Sequence, residues 1–107
     1  MWDATCRDPN VGVAIATDSG LVVPCIKQVQ TLSILEIAEA VHTLKSKAVS
    51  SRLGAAELSG TTITLSNIGV IGGTYATPLV NPPQIAICAL GRLQKTVEPA
   101  GDGEAQV

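Results

Sequence analysis

One amphipathic helix set between β-branched runs restricts this chain to mixed α/β folds. Ser33-x-x-Glu36 has capping-box spacing, in which each side chain satisfies the other residue's backbone amide. Apolar residues then recur at Ile34, Ile37, Ala38, Val41, Leu44 and Ala48, which predicts a helix from about residue 33 to 48. Glu36 and Glu39 fall early and Lys45 and Lys47 late, so the charges complement the helix dipole at both ends. Upstream, NVGVAIAT (Asn10 to Thr17), the turn signal Asp18-Ser19-Gly20 and LVVPCI read as a β-hairpin. Pro24 has no amide hydrogen for a ladder, so the second strand is expected at a sheet edge or with a bulge.

Downstream of the helix, Ser50 to Gly60 reads as a connection with Gly54 as the helix stop. Thr61 to Ser66 reads as a third strand, its threonines alternating with Ile63 and Leu65 at period two. A loop of glycines, hydroxyls and prolines runs from Asn67 to Pro83. Ile85 to Leu90, IAICAL, is nearly continuous in apolar residues and predicts a strand buried on both faces. The strand is expected to continue through Val97, with a turn over Pro99-Ala100-Gly101-Asp102-Gly103.

The chain has 107 residues, within the range of a single domain, and 46% of them are hydrophobic. That apolar content is aliphatic: there is no Phe, one Trp and one Tyr, and the mean hydropathy is +0.35. Such a composition implies surface to be buried against further structure or other subunits. Seven basic residues are scattered under a formal charge of −2, which argues against nucleic acid as a partner. Apolar runs stay far below the roughly 20 residues that cross a bilayer, and MWDATCRDPN does not resemble a targeting signal. Cys6, Cys25 and Cys88 are widely spaced, so free thiols are expected. Cys25 and Cys88 sit within apolar runs and read as small buried hydrophobes, whereas Cys6 stands in a polar lead-in.

Ser66 and Asn67 present a hydroxyl and a carboxamide at a strand end facing the glycine loop. A hydroxyl so placed can serve as an oxyanion donor or a nucleophile, or simply start a turn. The one candidate base is His42, in mid-helix, where an exposed surface histidine is the ordinary role. Gly69, Gly72 and Gly73 match neither phosphate-loop pattern and are expected to serve loop geometry. Asp18, Glu36 and Glu57 read as hairpin turn, helix cap and connection, and no set of residues suggests a metal site.

LSNIGVIGGTYATPLVNPPQIAICALG, from Leu65 to Gly91, resembles the catalytic core of the dihydrolipoamide acyltransferases of 2-oxoacid dehydrogenase complexes, most like the branched-chain type. NVGVAIATDSGLVVPCIK, the helix and Glu57-Leu58-Ser59-Gly60 keep the same family's order. The resemblance covers about residues 10 to 97, between an unmatched lead-in at 1–9 and a turn with a short tail at 98–107. It implies an α/β fold like chloramphenicol acetyltransferase, a sandwich with a mixed sheet that is here incomplete, forming homotrimers and then a larger core. It implies acyl transfer from a dihydrolipoyl thioester, carried on a separate lipoyl domain, to coenzyme A. In that family the serine matching Ser66 binds the oxyanion, and Ser66, Asn67 and Gly91 line the coenzyme A channel. Leu93 matches a further coenzyme contact by position only. The resemblance also implies a mitochondrial matrix location in a eukaryote and a cytoplasmic one in a bacterium.

The family's general base lies in a His-x-x-x-Asp-Gly motif, which is expected beyond Val107 and across a subunit boundary. Ala16 and Val70 stand where branched-chain relatives tend to carry polar coenzyme-contacting residues. The polypeptide as given is therefore expected to be nearly inactive alone, and a non-catalytic assembly or binding piece of the same fold is the rival reading.

Overall fold

The structure, a computed structural model, describes residues 8–73, 75–99 and 105–106. Its centre is a mixed sheet of four strands, β1 (Val11–Val13), β4 (Cys25–Ile26), β5 (Ile63–Asn67) and β6 (Ala86–Leu90), in the order β4-β1-β5-β6. β1 pairs antiparallel with β4 and parallel with β5, and β5 pairs parallel with β6. β2 (Ile15–Thr17) and β3 (Gly20–Val22) form a separate two-stranded ribbon, and β7 (Glu98–Pro99) pairs antiparallel with β8 (Ala105–Gln106).

The expected hairpin is present, but it breaks into two pieces where Pro24 interrupts one strand. Val13 N–H donates to the Pro24 carbonyl at 2.9 Å, while Ala14 N–H turns to the Leu65 carbonyl at 2.9 Å. The Ala14 bond continues the parallel ladder of β1 with β5, hairpin pairing resumes at Ile15 opposite Val22, and Pro24 is fully buried beside the edge strand β4. At the hairpin tip Gly20 adopts φ 123°, which favours glycine, and Thr17 Oγ1 closes the turn on the Gly20 carbonyl at 2.7 Å.

Helix α1 (Ile34–Val49) starts with the expected capping box. Ser33 N–H donates to Glu36 Oε2 at 2.7 Å and Glu36 N–H to Ser33 Oγ at 3.3 Å, and hydrogen bonding to the Glu36 carboxyl by the Ser33 side chain first, and then by its backbone N–H, holds that carboxyl below its ordinary pKa. The helix packs chiefly against β2 and β4 and buries Leu44 and Ala48, which with Pro24, Cys25 and Ile26 make the core. Ile34, at the start of the expected apolar stripe, is 85% exposed, whereas Leu44 and Ala48 later in the helix are buried.

The helix ends at Ser51 rather than at Gly54. Ser51 adopts φ 55°, Ser51 N–H bonds the Ala48 carbonyl at 3.1 Å and Arg52 N–H the Lys47 carbonyl at 2.8 Å. That is a Schellman ending with serine in the left-handed position usually held by glycine. Ser51→Gly is expected to stabilise the fold by about 1 kcal/mol, the cost of a left-handed Cβ. A urea midpoint at or below that of the parent would contradict this.

Gly54 serves the connection instead. Its N–H donates to Glu57 Oε2 at 2.9 Å while Lys47 Nζ pairs with Glu57 Oε1 at 2.6 Å. These two bonds, the lysine's first, keep the Glu57 carboxyl below the ordinary range. The Glu57 carbonyl accepts from Cys25 N–H at 2.7 Å and Lys27 Nζ reaches the Ser59 carbonyl, so the connection is fastened to both α1 and β4.

Two expectations about the end of the chain fail. Among the described residues no strand pairs with the outer side of β6, so this apolar run is an edge strand, with Ile85 84% exposed and Cys88 exposed rather than buried. Composition sets what a strand can tolerate, and neighbouring strands set what it receives. Residues 91–97 form no strand, and regular structure returns only at β7. Cys6 and most of the expected turn at 99–103 lie outside the described residues.

The exposed surface is correspondingly large. Its 8499 Å² compares with about 5,600 Å² for a free-standing monomer of this mass. The radius of gyration is 17.6 Å, against about 13 Å for a compact domain of this length. Val70, Ile71, Tyr75, Leu79, Ile85 and Leu93 are each more than four-fifths exposed. This apolar surface is of the kind the composition implied would be covered by further structure.

Candidate active site

β1, β5 and β6 run parallel, β5 and β6 end together two residues past β1, and in open α/β sheets ligands lie beyond the carboxyl ends of such strands. Ser66 and Asn67 are the last two residues of β5, in register with Ala89 and Leu90 of β6. Strand alternation puts Ser66 on the same face as Thr64. Ser66 is half-buried, and among the described residues no group hydrogen-bonds its hydroxyl.

The chain leaves β5 by a turn that Asn67 builds. Asn67 Oδ1 accepts from Gly69 N–H at 3.0 Å, an Asx-turn, while Ile68 N–H still donates to the Leu90 carbonyl at 2.9 Å. The Ile68 carbonyl then accepts from Ile71 and Gly72 N–H, both at 3.0 Å. A Cβ on Gly69 would lie 3.2 Å from both Asn67 Oδ1 and the Gly91 carbonyl oxygen, so glycine lets the two backbones approach. Gly72 and Gly73 adopt φ 86° and 110°, which accounts for the remaining glycines as loop geometry.

The tertiary structure therefore brings Asn67 and Gly91 together about Gly69 at the strand ends, with Ser66 the preceding residue of β5. Leu93 is fully exposed, three residues beyond the end of β6. Val70, in the same loop, is 98% exposed, and Ala16 is exposed on β2 in the separate ribbon. His42 is an exposed residue of α1, whose packing against β2 and β4 sets it on elements other than β5. Among the described residues no group of His, Cys, Asp and Glu is placed to hold a metal ion.

The returning end of the loop is fastened as well. Gln84 N–H closes on the Asn81 carbonyl at 3.1 Å, Ile85 N–H donates to the Thr62 carbonyl at 3.0 Å, and Thr64 Oγ1 donates to Gln84 Oε1 at 2.5 Å. Sequence reading had singled out neither Thr64 nor Gln84. The only signal was the polar period of the strand, and the carboxamide lies 20 residues away.

Two shallow concavities among the described residues do not include Ser66. One of about 480 Å³ lies between α1 and β4, lined by Cys25, Leu32, Ala40 and Leu44 among others. The second, about 600 Å³, lies between Leu21–Val23 of the ribbon and the Pro82–Pro83 segment. Ser66 offers a half-buried hydroxyl with no hydrogen-bond partner among the described residues, at the strand end that precedes the Gly69–Gly91 approach.

Residues 4–107 match the 2-oxoacid dehydrogenases acyltransferase (catalytic domain) family. The chain is 50% identical over 94 residues to the lipoamide acyltransferase component of the branched-chain alpha-keto acid dehydrogenase complex of Arabidopsis thaliana, covering 88% of this chain and 20% of that protein. The fold matches the dihydrolipoamide acetyltransferase of Azotobacter vinelandii with a TM-score of 0.78 at 39% identity, over 91% of this chain and 39% of that one. The structure of the cubic core of a pyruvate dehydrogenase multienzyme complex gives the same TM-score, identity and coverage. The chain spans about a fifth of the length of the curated relatives it matches.

Proposed function

The chain belongs to the 2-oxoacid dehydrogenase acyltransferases, within their catalytic domain, and on that premise we propose that it forms one wall of an active site that moves an acyl group from a dihydrolipoyl thioester to coenzyme A. The observation that carries this reading is the position of Ser66: a half-buried hydroxyl without a partner among the described residues, at the end of a parallel strand beside close-approaching glycine backbone.

In the proposed reaction the coenzyme A sulfur attacks the thioester carbonyl, a new carbon–sulfur bond forms, and the carbonyl electron pair moves onto oxygen. Ser66 donates its hydroxyl hydrogen bond to that oxyanion and keeps its proton. The tetrahedral species collapses, the bond to the dihydrolipoyl sulfur breaks, and the proton taken from the coenzyme thiol passes to the leaving sulfur. One held donor of this kind is worth about 3 kcal/mol of barrier. The base is proposed to be a histidine from outside these residues, since His42, the only histidine of the chain, sits on α1. Asn67 and Gly91 are proposed to contact coenzyme A with Ser66, and Leu93 to reach it only when its exposed segment is covered.

We further propose assembly as homotrimers within a larger core of a branched-chain-type 2-oxoacid dehydrogenase complex, with the lipoyl group delivered on a separate domain. The exposed large hydrophobic residues at Val70, Ile71, Tyr75 and Leu79 support this, as does likeness to a cubic core. The location would follow the relatives, mitochondrial in a eukaryote and cytoplasmic in a bacterium.

Amide hydrogen exchange with and without millimolar coenzyme A tests the site. Protection is expected at Asn67, Gly69 and Gly91, with α1 unaffected. Protection confined to other residues, or none at saturating coenzyme, would remove the basis for placing coenzyme A on this wall.

A further inference from the structure

Thr64 is the buried polar side chain among the described residues, 2% exposed, and it stands two residues before Ser66 on the same face of β5. Its surroundings leave the hydroxyl one outlet. On the β1 side it faces Gly12, its register partner, where a Cβ would come within 3.0 Å of Thr64 Oγ1. On the β6 side it donates to Gln84 Oε1 at 2.5 Å. Gln84 is the residue at which the long loop returns to the sheet, held by its own N–H on Asn81 and by Ile85 N–H on Thr62.

The segment that leaves β5 at Ile68 is thus tied back to β5 at two points that bracket Ser66: Asn67 at its departure and Thr64 at its return. We propose that Thr64 is a positioning residue for Ser66, acting through the Gln84 carboxamide to fix how β5 and the returning loop present the serine hydroxyl. The proposal rests on Ser66 being the oxyanion donor. A hydrogen bond whose donor is shielded from water holds geometry better than a fully exposed one, since solvent competes less for that partner. Misplacing a reacting group by about 1 Å costs on the order of 100-fold in rate.

The test uses the enzyme that carries this chain together with the rest of its catalytic domain. Thr64→Val is expected to lower kcat about 10- to 100-fold with KM for coenzyme A nearly unchanged. Thr64→Ser, which keeps the hydroxyl, is expected to restore most of the rate, and Gln84→Leu to reproduce the loss. In a Ser66→Ala background Thr64→Val is expected to have little further effect, because its influence runs through the serine. Full kcat in Thr64→Val, or an equal loss in both backgrounds, would overturn the proposal. Should Thr64→Val not fold, Gln84→Leu at the half-buried partner reads the same contact by the same two comparisons. Full activity in Ser66→Ala would instead overturn the assignment of the serine, and the positioning role would fall with it.

Discussion

Ser66→Ala is expected to lower kcat of the assembled enzyme by about 100- to 1,000-fold while KM for coenzyme A changes little. The hydroxyl is asked to bind charge that exists only in the transition state, so its loss belongs in kcat and in kcat/KM together. The side chain is half-buried at a strand end, and among the described residues its hydroxyl is no partner of the surrounding network. Its removal therefore leaves no buried group unsatisfied, and the fold should tolerate it, with a thermal midpoint close to the parent's. Steady-state kinetics with an acylated dihydrolipoamide and coenzyme A, beside a thermal melt, separate the two effects. A loss of activity accompanied by an equal loss of folded protein would show that the serine is structural. Loss of kcat in a folded enzyme is the result that supports an oxyanion donor.

The second large effect is expected at Gly12, where the sheet is packed too closely for a side chain. A Cβ there would lie 2.7 Å from Thr61 Cγ2, 2.9 Å from Val23 Cγ1 and 3.0 Å from Thr64 Oγ1. None of the three neighbours can easily withdraw: threonine and valine are β-branched and stiff at χ1, and Thr64 is held by Gln84. β1 lies between β4 and β5, so the strand cannot move outward without breaking a ladder on one side. Gly12→Ala is expected to destabilise the protein by about 3 kcal/mol, the upper end for overpacking by one methyl. The readout is the urea midpoint at constant slope. A midpoint unchanged from the parent would mean that the sheet spacing at Gly12 is looser than these distances require. Since Thr64 is one of the displaced neighbours, whatever folded fraction survives should also show reduced kcat.

The parts of the fold that were legible in the sequence are those whose causes are local. Ser33 and Glu36 cap α1 through bonds spanning three residues, and Asp18-Ser19-Gly20 turns the hairpin through contacts of similar range. The Ser66-Asn67 strand end was also visible, because the period-two run and the following glycines lie side by side in the chain. Membership of the acyltransferase family was legible for a related reason: several short motifs occur in order.

What misled were residues whose surroundings come from far along the chain. IAICAL has the composition of a strand buried on both faces, yet β6 lies at the sheet edge with Cys88 exposed. Gly54 is the residue expected to stop a helix, and Ser51 takes the left-handed position while Gly54 caps Glu57. The threonine period showed that one face of β5 is polar, without showing that Thr64 is sealed between Gly12 and Gln84.

The sequence by itself determined the helix, the hairpin and the strand that ends in a serine, since each rests on a propensity, a cap or a turn set within a few residues. The tertiary structure alone decided that the Asn67 turn lies beside Gly91, that β6 is at an edge among the described residues, and that Thr64 closes on Gln84. Those outcomes depend on which strands pair and in what register, and pairing sums weak contacts between distant residues that no local window contains.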